Sequence, residues 1–250
     1  MLAIIGGTGL SQIEVFKSAG CKRVNTPFSD KRVVVELYQF ENQTFAFLPR
    51  HGKEHTIPPH KINYRANMWA LQMIGVSNII AINAVGGIHP ESGPGKFVLP
   101  DQVIDYTYGR AATFFEEGLE FVTHIDFTQP FSNELREKIR SAFEQSNSLS
   151  ESTRYLLGHG IYGATQGPRL ETAAEIKRMQ KDGCDVVGMT GMPEAALAKE
   201  LKVNYAMLAL SVNWAAGIGE TEILMSEIQK NLKGGMQFVV KMLEVLITKS

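Results

Sequence analysis

The chain predicts an α/β fold: one domain built on a mixed β-sheet flanked by helices. Three observations predict it. A short apolar run, Leu2 to Ile5, ends abruptly in Gly6-Gly7, the pattern of a buried parallel strand feeding a turn. Residues 33–48 carry a hairpin pattern. From residue 63 onward, helical and strand patterns alternate to the end, with helices for both faces of the sheet. At 250 residues, 44% hydrophobic and 20% charged, the chain is long enough for a single large core, and no linker divides it.

Residues 2–5 are expected in the middle of the sheet, because four consecutive apolar residues leave no polar face. Residues 33–40 and 44–48 are rich in β-branched and aromatic types with Glu41-Asn42 between them, an antiparallel hairpin. Within 63–74, Ala66, Trp69, Ala70 and Met73 recur at helical spacing and lead into a strand at 79–82. Strands follow at 102–105, 160–164, 185–188 and 205–211. Helices are expected at 132–143, 171–180, 194–200 and 226–247, the last long and amphipathic with Gly234-Gly235 loosening its middle. Residues 146–154 are polar and read as a loop.

Composition narrows the function classes. A formal net charge of −1 with interspersed signs removes the basic footprint that nucleic-acid binding needs. The two cysteines, Cys21 and Cys184, are far apart and suit reduced thiols in the cytoplasm better than a disulfide framework. The N-terminal residues carry no basic leader, and Gly6-Gly7 interrupts the apolar run too early for a signal peptide. No apolar run reaches membrane-spanning length.

Gly6-Gly7-Thr8-Gly9 follows the first strand, so its amides can curl into an anion-binding nest to which the Thr8 hydroxyl adds a donor. A dinucleotide fingerprint is the competitor, with Glu36 as its acidic residue. Its third glycine would fall at Gln12, and the strand at 33–40 looks like a hairpin arm. Arg50 and His51 come directly after a strand, where a loop can present the planar guanidinium to an oxyanion while His51 adds a second donor. His51, His55 and His60 lack the cysteine or acidic partners of a metal site, and Pro58-Pro59 prevents a helix from aligning the last two. No metal is expected.

Several segments resemble one family in the same order along the chain. These are Arg50-His51-Gly52, His55-Thr56-Ile57-Pro58, Asn63-Tyr64-Arg65-Ala66-Asn67, Asn83-Ala84-Val85-Gly86-Gly87, Gly167-Pro168-Arg169-Leu170-Glu171-Thr172 and Gly188-Met189-Thr190-Gly191-Met192-Pro193-Glu194. Together they are similar to the methylthioadenosine phosphorylase branch of the trimeric purine nucleoside phosphorylases. The resemblance implies a partly barrel-like nucleoside phosphorylase fold and a pentosyltransferase of purine salvage. Inorganic phosphate would be the co-substrate, with no cofactor, and the assembly a homotrimer. It implies that Thr8, Arg50, His51, the Ala84 backbone amide and Thr190 bind phosphate. Asn83 departs from the small hydroxyl residue common there, which leaves its role open.

The same resemblance places Met189 against the ribose and Leu170, Glu171 and Asn213 at the base. Departure of a purine builds negative charge on the ring, which needs hydrogen-bond partners. An asparagine amide can donate to a 6-oxo group where adenine-cleaving relatives carry aspartate, and a glutamate accepts from the protonated ring nitrogen beside it. Asn213 and Glu171, with His51, are thus the implied catalytic residues, and both base contacts favour an oxopurine. Ile223-Leu224-Met225 suits an apolar 5′ substituent, with Met225 the implied contact. His124, in Val122-Thr123-His124-Ile125-Asp126, is implied to reach a neighbouring subunit's site. With Asn213-Trp214-Ala215-Ala216-Gly217, this pattern most resembles methylthioinosine-cleaving members, implying S-methyl-5′-thioinosine as substrate. Inosine or guanosine phosphorolysis, methylthioadenosine phosphorolysis, a nicotinamide-dependent dehydrogenase and a noncatalytic nucleoside-binding protein remain the alternatives.

Overall fold

A computed structural model describes residues 1–7, 10, 15–150, 153–219 and 224–248. The apolar strand β1 (Leu2–Gly6) lies inside the sheet, parallel to β4 (Gln43–Pro49) on one side and β5 (Asn78–Gly87) on the other. Ala3, Ile4 and Ile5 are fully buried, each large side chain worth about 1.5–3 kcal/mol of burial. β3 (Ser29–Phe40) and β4 form the expected hairpin around residues 41–42. An additional strand, β2 (Lys17–Thr26), pairs antiparallel with β3 and is exposed along most of its length. Its residues offer no apolar face, and its edge position explains why none is needed.

Beyond β5 the sheet curls into a ring. β11 (Asn204–Trp214) runs parallel to β5 and also pairs with β6 (Phe97–Val98), which pairs with β8 (Leu156–Leu157). On the other flank, β10 (Val186–Gly188) joins the end of β5 and pairs with β9 (Ile161–Ala164), which pairs with β7 (Gln102–Asp105). Amides of Leu99 and Gln102 donate to Leu157 and Gly160. β6 and β7 therefore act as one bent strand, as do β8 and β9, and the circuit from β5 through β11 and back through β10 closes. The partly barrel-like expectation matches this architecture.

Helices cover both faces. α1 (Tyr64–Met73) and α4 (Glu194–Glu200) seal one core, and α2 (Asn133–Ser148) with α5 (Met225–Thr248) seals the other. α3 (Ala173–Lys181) closes a smaller cluster around Ile176, Met179 and Val187. Asn63 and Ser132 cap α1 and α2 by accepting from the amides of Ala66 and Leu135. Two expectations change. α2 continues to Ser148, so the polar stretch from 146 begins as helix, and Asn147 ties it to the backbone of Arg154. α5 runs through Gly234-Gly235 unbroken. A Cβ at Gly235 would stand 2.3 Å from Leu210 Cδ2, so this glycine lets α5 pack closely on β11. Cys21 is exposed, Cys184 is buried, and neither is in a disulfide.

Candidate active site

The carboxyl ends of β1 and β4, and the stretch of β5 just beyond the Gly6–Ile82 pair, place Gly7, Arg50-His51 and Asn83-Ala84 side by side, the usual position of ligand crevices in parallel sheets. The backbone amide of Arg50 donates to Gly6 O at 3.0 Å, which brings the two loops into register. A Cβ at residue 7 would stand 3.2 Å from Arg50 Nη1 and 4.0 Å from His51 Nε2. Glycine thus keeps open the point on which both nitrogens converge.

Arg50 is 2% exposed. Its Nε and Nη2 each donate to the carboxylate of Glu194 at 2.8 Å, and Tyr205 donates to the same carboxylate at 2.8 Å. Burial alone would lower the guanidinium pKa, but Glu194 more than reverses this and holds it above the ordinary arginine range. Two faces of the fork are therefore spent inside the protein, and Nη1 is the one beside Gly7. Asn83, 2% exposed, donates from Nδ2 to Thr190 Oγ1 at 2.8 Å. Its buried Oδ1 has no hydrogen-bond partner among the described residues. The amide of Thr190 donates to the hydroxyl of Tyr162 at 3.3 Å, which anchors the turn after β10.

His51 differs from the donor expected from sequence. Its Nδ1 lies 2.8 Å from Ile57 O, a contact that requires Nδ1–H to donate. Burial, reinforced by the charge of Arg50 and by His55, lowers its pKa to about 4 against the pull of that carbonyl. The ring is neutral at pH 7, so Nε2 presents a lone pair: an acceptor toward the converging point.

On the other side, a β-bulge in β11 at Val212 shifts the register so that Asn213 pairs with Gly86. One amide hydrogen of Asn213 goes to Trp214 O at 2.7 Å, leaving the second N–H and Oδ1. Glu171 stands outside α3. Thr172 is the N-cap and forms a capping box with Glu175, so the helix expected to begin at 171 starts after it. The Glu171 carboxylate instead accepts from the Thr165 hydroxyl at 2.6 Å. Arg110 braces both walls, donating to the carbonyls of Met189, Met192, Thr165 and Gln166.

Arg50, His51, Ala84, Leu170, Glu171, Met189, Thr190 and Asn213 all line one cleft of about 220 Å³. A larger neighbouring cleft of about 410 Å³ shares Glu171, but two of its arginines face acidic partners, Arg169 with Glu175 and Arg178 with Asp182. Thr8 and Ile223 lie outside the described residues. His124 and Met225 do not line the first cleft. His124 is exposed, and Met225 is 64% exposed at the start of α5; Ile228, within that helix, lines the cleft instead. Sequence reasoning missed Glu194, Thr165 and Arg110. An acidic residue opening the otherwise apolar Ala195-Ala196-Leu197-Ala198 was the available signal for Glu194; the other two carried none.

The dinucleotide alternative does not fit. β1 and β4 are joined through the β2–β3 pair, and Glu36 lies in β3, where its carboxylate accepts from the Tyr38 hydroxyl at 2.9 Å. Among the described residues no cluster of three or more histidine, cysteine or acidic side chains could hold a metal ion, and no helix is long and apolar enough to cross a membrane.

Residues 1–248 match the family model of the phosphorylase superfamily. A probable S-methyl-5′-thioinosine phosphorylase of Pseudomonas syringae pv. tomato is 50% identical over 234 residues, covering 94% of this chain and 93% of its own. The 6-oxopurine nucleoside phosphorylase of Pyrococcus furiosus is 42% identical over 247 residues, covering 97% and 90%. Among solved structures, methylthioadenosine phosphorylase from Schistosoma mansoni in complex with adenine superposes with a TM-score of 0.91 at 29% identity, covering 99% of this chain and 91% of its own. With the closed ring of strands and the cleft at their carboxyl ends, these matches show that the chain belongs to the phosphorylase superfamily, within its purine nucleoside phosphorylases.

Proposed function

We propose that the chain cleaves the N-ribosyl bond of S-methyl-5′-thioinosine with inorganic phosphate, yielding hypoxanthine and 5-methylthioribose 1-phosphate, without cofactor or metal. The observation that carries this reading is one cleft holding two complementary groups. Arg50, His51 and Gly7 meet at the ends of β1 and β4, and Glu171 and Asn213 stand on the β9 and β11 side. The relatives named as S-methyl-5′-thioinosine phosphorylases support the 5′ substituent.

Hydrogen phosphate sits against Arg50 Nη1, Thr190 and the amides of Gly7 and Ala84, with Thr8 as a further donor. Its P–OH donates to the lone pair on His51 Nε2, and Asn83 Oδ1 adds an acceptor for a ligand O–H. A phosphate oxygen forms the bond to C1′ as the C1′–N9 bond breaks with its electron pair going to the purine, through a loose, oxocarbenium-like ribose lying against Met189. The proton of hydrogen phosphate ends on the purine. Asn213 receives the imidazole N–H on Oδ1 and donates to the 6-oxo group; Glu171 accepts from the adjacent ring N–H, with Leu170 beside it. Donation from Asn213 to the 6-oxo group strengthens as negative charge develops on the ring, which is where it accelerates the step, while the Glu171 contact selects the base on binding. Ile228 faces the methylthio group, His124 is contributed by a neighbouring copy, and the enzyme works as a cytoplasmic homotrimer.

A substrate panel tests the reading. Free hypoxanthine is expected from S-methyl-5′-thioinosine only when phosphate is present, with slower release from inosine, guanosine and methylthioadenosine. No base released from any of them overturns the proposal; methylthioadenosine as best substrate overturns the base assignment alone.

A further inference from the structure

Thr165 follows β9 and is 7% exposed, and each of its polar groups is committed. Its amide donates to Gly188 O at 2.8 Å, its carbonyl accepts from Arg110 Nη2 at 3.1 Å, and its hydroxyl donates to Glu171 Oε1 at 2.6 Å, with Gly188 O at 3.3 Å. The residue is thus fixed through both its amide and its carbonyl before its hydroxyl reaches the carboxylate. Glu171 lies in the segment between β9 and α3, next to Leu170, which is 48% exposed. The bond from Thr165 is the one hydrogen bond its carboxylate makes among the described residues. Without it the side chain would be free to turn toward the larger cleft, whose wall it also forms.

We infer that Thr165 is a specificity-determining positioning residue: by occupying Oε1 of Glu171 it assigns Oε2 as the acceptor for a purine ring N–H, and so sets the preference for 6-oxo over 6-amino purines. This rests on the proposed function and deepens it. A 2.6 Å O–H···O⁻ contact is in the charge-assisted range, short and directional. An oxopurine offers a hydrogen to the free oxygen; a 6-aminopurine offers a ring lone pair at the same place and gains nothing from a well-aimed acceptor. Losing the clamp therefore harms one class of base and spares the other. A role in folding alone would harm both.

The test compares Thr165→Val, which keeps the shape and removes the donor, with Thr165→Ser, which keeps the donor. Thr165→Val is expected to lower kcat/KM on S-methyl-5′-thioinosine about tenfold, the size of one lost charge-assisted hydrogen bond, mainly through KM, with methylthioadenosine and inorganic phosphate binding unchanged. Thr165→Ser restores the wild-type ratio. In a Glu171→Gln background the valine effect disappears. Equal losses on both nucleosides, an unchanged ratio, or a valine effect that persists without Glu171 overturns the inference. Calorimetric binding of free hypoxanthine and adenine separates the same outcomes without turnover: the valine variant must weaken hypoxanthine selectively. An enzyme that releases no base sinks the phosphorylase reading, whereas an active enzyme with unaltered selectivity in Thr165→Val sinks only the clamp.

Discussion

On the β1–β4–β5 side of the cleft, Arg50, Asn83, Thr190 and Glu194 are each less than a tenth exposed and bonded to one another or to buried tyrosines. On the β9–β11 side, Glu171 and Asn213 are only half-buried, Leu170 is 48% exposed, and each polar side chain is held by a single partner. The difference follows from what each side must meet. A small multiply charged anion needs donors that are already aimed, because reorienting them during reaction would cost the stabilisation they provide. A planar base needs an open entrance and only a few contacts to fix its identity.

If the two sides differ in this way, the largest effect should come from disturbing the anion side from behind. Glu194→Gln keeps the volume and removes the charge that holds Arg50. Breaking a buried pair by removing one partner costs about 3–5 kcal/mol, since the remaining charge stays buried. Denaturant unfolding should show a loss of that order, and calorimetry should show phosphate affinity falling with it. If Glu194→Gln costs no more than Leu170→Ala, the anion side is not the rigid one.

The base side should respond in selectivity, with little change in stability. Asn213→Asp replaces an amide that can donate to a 6-oxo group by a carboxylate that can only accept. The ratio of kcat/KM for S-methyl-5′-thioinosine over methylthioadenosine should fall about 100-fold, well within the range reached when a site's polar groups are left mismatched. An unchanged ratio would remove Asn213 as a discriminator, and a large drop in unfolding free energy would mean that the bulge in β11 depends on its amide.

How much of this was legible in the sequence follows the same division. Gly6-Gly7, Arg50 and Asn213 sit at strand ends, and local patterns place them there; α4 is read to the residue, whereas Glu171, expected to open a helix, stands in the loop before α3. Glu194 meets Arg50 across 144 positions, and no local periodicity encodes such a pairing. Arg110 acts through backbone carbonyls, and Thr165 through a hydroxyl on Glu171; both sets of partners are brought together by ring closure, which depends on the bends between β6 and β7 and between β8 and β9. The exposed strand β2 has no hydrophobic alternation to announce it. Met225 shows the reverse failure. An apolar triplet before a helix resembles a pocket wall in sequence, yet in the single chain the methionine points outward and Ile228 lines the cleft.

His51 belongs to the anion side but is more open than its neighbours, and it gives the smallest of these effects. Its folded pKa is about 4, lowered first by burial and then by Arg50 and His55, against an unperturbed value of about 6.5. Between these values the unfolded chain binds a proton that the folded chain refuses, so stability rises with pH across that window. The contribution is fully present above about pH 6.5 and is lost as pH falls toward 4. Thermal unfolding from about pH 7.5 to about 4.5 should therefore fall less steeply for His51→Gln than for the wild type, by less than one proton's worth of slope. Saturating phosphate makes the measurement more specific. An anion beside Nε2 favours the protonated ring and raises the folded pKa, so the two proteins should converge when phosphate is bound. A slope difference that phosphate leaves untouched would place the anion away from His51, and with it away from Gly7 and Arg50.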